Sequence, residues 1–185
     1  MWKTLNGGLW ADASTSVLQL SGTLPPGEVY IIVSGNSSID PQLQNWADTY
    51  WSSFTFNGND AVGLAINGVL IDAVGSEVDP GDAWNVAGIN EATKDHTLVR
   101  KCDVNQGNAW SASAGTDASN SEWLVRDIDD WSNLDAHSSS CSGTYTYGCL
   151  DSDAPNYDAS VDGNNNTCAY PGCTDPSANN YSFGN

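Results

Sequence analysis

Positive charge is nearly missing from this chain. Five lysines and arginines stand against 23 aspartates and glutamates in 185 residues, a net charge of −18. Such a surface repels phosphate backbones and anionic lipid, which argues against direct nucleic-acid binding. It suits a solvated face in salt water or one that meets divalent cations. Long apolar runs are missing too. The longest is about five residues, too short to span a membrane, so no membrane insertion is expected. Met1-Trp2-Lys3 leads into Gly7-Gly8 and Asp12 rather than an apolar export signal, so the natural N-terminus is expected to lie upstream. Helical periodicity is scarce. Histidine is limited to His96 and His137, and no G-x-S-x-G, H-E-x-x-H or paired-histidine motif occurs. No catalytic role is expected, and His96 is read as ordering a loop or strand start. Eight tryptophans exclude a disordered chain.

The C-terminal stretch repeats itself. Gly148-Cys149-Leu150-Asp151-Ser152-Asp153-Ala154-Pro155-Asn156-Tyr157 returns 24 residues later as Gly172-Cys173-Thr174-Asp175-Pro176-Ser177-Ala178-Asn179-Asn180-Tyr181. The shared frame is G-C-x-D-x-x-A-x-N-Y. A unit this small has too few apolar residues for a core, so cysteines and oxygen-rich side chains must hold it. Five cysteines, at 102, 141, 149, 168 and 173, point to an oxidising, extracellular setting. If each repeat is bridged internally, Cys149 pairs with Cys168. Cys102 and Cys141 are then left for each other, and Cys173 stays unpaired or finds its partner outside the chain. Asp151, Asp153, Asn156, Asp158 and Asp162 place five oxygen donors within twelve residues, a composition that suits calcium. The EF-hand spacing is absent, and the same side chains also serve as turn caps.

Residues 1–137 read as all-β, with short strands between turn residues. The clearest element is a hairpin over 61–74. Asn67-Gly68 is a preferred type I′ turn, since both positions need positive φ. The implied pairs are Ile66 with Val69, Leu64 with Ile71 and Val62 with Ala73, forming one apolar face. Val29-Tyr30-Ile31-Ile32-Val33 reads as a strand buried on both faces. Further strands are expected over 97–102 and 122–126. A short helix is expected over 41–48, capped by Asp40. Residues 103–120 read as a long surface loop anchored by Trp110. Residues 138–148 are a flexible linker, and 149–185 are the repeats, the second cut short. Lys94, Arg100, Lys101 and Arg126 could form a small positive patch. Trp10, Trp46, Trp51, Trp110 and Trp131 could line a glycan-binding face, although packing is the commoner use of tryptophan.

Several blocks carry a family resemblance. They are Phe56-Asn57-Gly58-Asn59-Asp60-Ala61-Val62-Gly63-Leu64, Asn67-Gly68-Val69-Leu70-Ile71-Asp72-Ala73-Val74-Gly75, Asp79-Pro80-Gly81-Asp82-Ala83-Trp84-Asn85-Val86-Ala87-Gly88 and Ala92-Thr93-Lys94-Asp95-His96-Thr97-Leu98-Val99-Arg100-Lys101. Ser121-Glu122-Trp123-Leu124-Val125 and Trp131-Ser132-Asn133-Leu134 follow. Together they resemble the lamin-tail domain of secreted bacterial proteins. The resemblance implies an immunoglobulin-like β-sandwich without catalytic activity, with Trp84 and Trp123 in its core. The family's opening strands have no counterpart here, which implies an open sheet edge that another segment or another copy fills. The tail resembles thrombospondin type 3 repeats, which implies tandem arrays with calcium loops. The expectation is a non-catalytic extracellular structural or interaction protein of a bacterial cell surface or filamentous appendage. Its partners would be copies of itself or neighbouring modules. The alternative is a carbohydrate-binding or targeting module of a larger secreted enzyme such as a nuclease.

Overall fold

The computed structural model describes residues 1–10, 12, 15–35, 40–137, 141 and 144–170. Cys173 and the second repeat lie outside the described residues. In chain order the elements are β1 (Trp2–Lys3), β2 (Ser16–Val17), β3 (Ile32–Ser34), α1 (Pro41–Trp46), β4 (Thr49–Trp51), β5 (Val62–Ile66) and β6 (Val69–Val74). They continue with β7 (Thr97–Arg100), α2 (Trp110–Ser113), β8 (Trp123–Arg126), β9 (Tyr147–Gly148) and β10 (Gly163–Asn164). Strands dominate and both helices are short, so the chain is all-β as expected.

The largest sheet has the order β2-β1-β5-β6. Its frame is the hairpin. Asn67 and Gly68 take φ of 51° and 79°, as a type I′ turn demands, and Ile66 faces Val69. Beyond the turn the expected register fails. A bulge between Leu64 and Ala65 puts Leu64 opposite Asp72 and Val62 opposite Val74, leaving Ile71 as the extra residue. The bulge has a tertiary cause. It lets Asp72 reach Arg100 on β7, whose Nη2 donates to both carboxylate oxygens at 2.6 and 2.7 Å. The loop through Gly107 lies against the bulge. A Cβ at Gly107 would stand 2.1 Å from Ile71 O, so only glycine fits there.

β3 and β4 form a separate parallel pair, and β7 and β8 an antiparallel one. The 29–33 run is not buried on both faces. Ile31 and Val33 are buried while Tyr30 is exposed, the alternation of a strand with one covered face. The helix starts where expected: Asp40 Oδ1 accepts from Gln42 N–H at 2.7 Å, and Pro41 occupies the first turn.

The core gathers around three tryptophans. Trp84 and Trp110 meet edge to face at 6.3 Å, and Trp110 and Trp123 meet at the same separation, tilted by 57°. Trp123 Nε1–H donates to Ser113 Oγ at 2.8 Å, so its one polar atom is satisfied. Val86, Ile89, Ala114, Ala118 and Val125 fill the spaces between the rings. The 103–120 stretch is therefore only partly a surface loop. It forms α2 and delivers Trp110, Ser113, Ala114 and Ala118 to the interior.

The first repeat docks on this body. β9 and β10 pair in parallel, and a Cβ at Gly163 would contact Leu124 Cδ2 at 3.4 Å. Tyr145 OH accepts from Cys102 N–H at 3.0 Å and donates to Asp103 Oδ1 at 3.1 Å. Residues 144–148, at the end of the expected linker, are thus built into the fold.

Candidate functional site

Both expected cysteine pairs are joined. Cys102 bonds to Cys141 and Cys149 to Cys168, with Cα separations of 5.8 and 4.7 Å. The second bridge closes the repeat around buried Cys149 and Ala154.

Within that repeat, four of the five calcium candidates bond locally through their side chains. Asp151 Oδ1 accepts from Asp153 N–H at 2.9 Å, and its other oxygen accepts from the Tyr170 hydroxyl. Asn156 spans the loop, donating to Thr167 O at 2.7 Å and accepting from Ala169 N–H at 2.8 Å. Asp158 caps the turn at Ser160, accepting from its N–H at 2.9 Å and its hydroxyl at 2.6 Å. Asp162 accepts from Thr146 N–H and Oγ1–H at 2.8 and 2.9 Å. Asp153 is exposed. Hydrogen bonds from Tyr170 and then from Asp153 N–H hold the Asp151 carboxyl below the usual range, and those from Ser160 do the same to Asp158. The hydrogen bond to Asp151 in turn pushes the Tyr170 phenol up. Among the described residues, no three His, Cys, Asp or Glu side chains stand together as a metal-holding group.

The basic residues do not pool into a patch. Arg100 is clamped by Asp72 and by Glu122 Oε2 at 2.5 Å, and its guanidinium lies 3.9 Å from the Trp123 ring centroid. Lys101 is buried, donating to Ala118 O at 2.8 Å with the Tyr145 and Tyr147 rings near its ammonium. Arg126 pairs with Asp130 at 3.2 Å. Burial pushes the Asp130 carboxyl up, but the Ser132 hydrogen bonds and Arg126 outweigh it and hold the group low. Lys94 alone of the four is exposed.

The tryptophans do not form an open row either. Trp51 and Trp110 are buried. Trp10 lies over Gly63, where an added Cβ would meet its ring at 3.1 Å. Trp46 is half-buried, and half-buried Trp131 lines a different feature, an apolar cleft. His96 donates its Nδ1–H to Lys94 O at 3.0 Å.

That cleft is the most distinctive surface of the molecule. It encloses about 530 Å³ beside β3, lined by Ile31, Ile32, Val33, Leu43, Phe54, Phe56, Trp131 and Leu134. Phe54 and Phe56 meet edge to face at 4.5 Å and also line an adjoining hollow of about 420 Å³ with Asp60, Thr93 and His96. A third hollow, about 380 Å³, shares Ile32 with the cleft and adds Leu20, Leu24, Tyr30 and Leu64. In the sheet order β3 has β4 as its neighbour and no second strand among the described residues. A strand end beside an apolar trough is the geometry by which sheets take on another strand. Sequence reading implied an open edge through the family's missing strands, but it did not place the edge at β3.

No protein family, no curated protein and no solved structure matches this chain.

Proposed function

We propose that this chain is a non-catalytic, extracellular interaction module of lamin-tail type, an immunoglobulin-like sandwich that assembles with copies of itself. The observation that carries this reading is the apolar cleft beside β3, with Ile32 shared between two hollows. The occupant is the 17–20 segment of a second copy. Val17-Leu18-Gln19-Leu20 is mostly apolar, runs on from the last residue of the edge strand β2, and leaves Val17 and Leu20 48 % and 41 % exposed. The donor segment continues from β2, at the edge of the main sheet, and the receiver is β3 of the separate pair; in the same copy Leu20 lines only the neighbouring hollow, not the cleft. Such a contact is heterologous, so it propagates as a filament unless the rotation closes a ring. The two disulfides support a place outside the cell. No described helix is long and apolar enough to cross a membrane. The −18 charge opposes sideways clumping and makes assembly salt-dependent, because counter-ions must screen like surfaces.

Sedimentation velocity over a concentration series, at low and high salt, tests this. The whole chain should grow in mass with concentration, and more so in high salt. Ile32→Asp, which puts a charge into the cleft, should stay monomeric with an unchanged circular-dichroism spectrum. A wild-type chain that stays monomeric at every concentration and salt overturns the proposal.

A further inference from the structure

The end of the main sheet holds a buried ion pair with an unusual setting. Lys3 on β1 and Asp60, just ahead of β5, have side chains only 3 % and 8 % exposed, with Nζ 3.1 Å from Oδ2. Register holds them there: Lys3 faces Val62 across the β1–β5 ladder, and Thr4 N–H donates to Ala61 O at 2.9 Å. The Phe56 ring lies 5.6 Å from the ammonium. Asp60 Oδ1, the carboxylate's other oxygen, accepts from Asn6 N–H at 3.2 Å. Among the described residues, three buried side-chain polar atoms have no hydrogen-bond partner, and two of them are in the adjoining residues, Thr4 Oγ1 and Asn59 Oδ1.

Condensation of the pair to an amide removes both charges from two side chains with little exposed surface. Lys3 Nζ already stands 3.1 Å from Oδ2, beside the carbon it would attack, and two strands that the rest of the sheet fixes hold it there. We propose that Lys3 and Asp60 form an intramolecular isopeptide bond, tying β1 to the start of β5. The Lys3 nitrogen attacks Asp60 Cγ. Negative charge collects on Oδ1, where the Asn6 N–H donates to it in the manner of an oxyanion hole. The Cγ–Oδ2 bond breaks, and Oδ2 leaves as water through the hollow that Asp60 lines. Of the three ammonium protons, two depart with that water and one stays on the amide nitrogen. Nothing is oxidised or reduced and no further reactant enters. The bond is made once per molecule, so it is a self-modification and independent of how copies assemble. It would keep the two-residue strand β1 in the sheet when a neighbour pulls on the β2 side.

Intact-mass spectrometry of the denatured, disulfide-reduced full chain reads the outcome directly. The chain should be one water lighter than its sequence. Proteolytic fragments should include a branched peptide joining Lys3 to Asp60, with cleavage after Lys3 abolished. Lys3→Met and Asp60→Ala should each restore the full mass. A wild-type chain of full mass overturns the proposal whether or not either variant folds. So does a water loss confined to one linear peptide, as a cyclic imide at Asp162-Gly163 would give.

Discussion

Arg100 offers the sharpest test of how the body is held. Its guanidinium joins Asp72 at the β6 bulge and Glu122 beside β8, touches Ser113 Oγ at 3.3 Å, and stacks on Trp123. Arg100→Met keeps a flexible apolar stem over the ring but strands two carboxylates. Breaking a fully buried ion pair costs about 3–5 kcal/mol. Asp72 and Glu122 are 33 % and 18 % exposed, so water screens part of that penalty and trims it to roughly 2 kcal/mol. Losing the cation–π contact adds about 0.5–2 kcal/mol. The total is about 2.5–4 kcal/mol, which at this chain length lowers the melting temperature by roughly 10 °C. Thermal unfolding followed by tryptophan fluorescence reads it, since Trp84, Trp110 and Trp123 report on the same core. The decisive control is the triple variant Arg100→Met, Asp72→Asn, Glu122→Gln. With no charge left stranded, it should recover about half of the loss, in keeping with the cost of unpaired buried charge. A single variant as stable as wild type, or a triple variant less stable than the single one, refutes the reasoning.

Three other outcomes follow from the repeat. Replacing Cys149 and Cys168 by alanine opens a bridge between residues 19 apart and removes about 3 kcal/mol of local stability by chain entropy; hydrogen exchange over 149–168 should accelerate while the tryptophan core stays protected. Adding calcium or a chelator should leave the melting curve unchanged, because Asp151, Asn156, Asp158 and Asp162 already bond within their own loop; a calcium-dependent rise would return these residues to the role of ligands. The Asp151 carboxyl is held low in the folded chain, so its stabilising bonds are fully present above the usual carboxylate range and are lost as pH falls through the depressed value. In Tyr170→Phe that titration should move up toward the usual range, as carbon-detected NMR of the carboxyl would show.

Local chemistry was the most legible part of the sequence. Asn67-Gly68 fixes its turn through backbone φ, and Asp40-Pro41 starts its helix through a cap, so each element needs only its neighbours. The cysteine spacing carried both bridges because a repeat frame limits the choices. What escaped depends on distant partners. The β6 bulge exists because Asp72 meets Arg100, 28 residues on, and no pattern inside the hairpin records that. Parallel pairing of β3 with β4 is likewise set by packing rather than by a turn motif. Ala87 takes φ of 55° ahead of Gly88 in a tight turn between Val86 and Ile89, a position where alanine gives no warning. Lys101 read as part of a small positive patch and Lys3 carried no signal, yet both are buried, one on Ala118 O and the other against Asp60. No sequence pattern pointed to the candidate cleft. Its place beside β3 follows from Phe54, Phe56, Trp131 and Leu134 converging from separate segments.

The claim that copies join through this cleft is tested most directly by a photo-crosslinking residue in place of Ile32. After irradiation in high salt, the dimer band is cut out, digested and mapped. The account predicts adducts on residues 17–20 of a second copy. Adducts confined to Leu43, Trp131 or other cleft residues of the same copy, with no dimer formed, would contradict it.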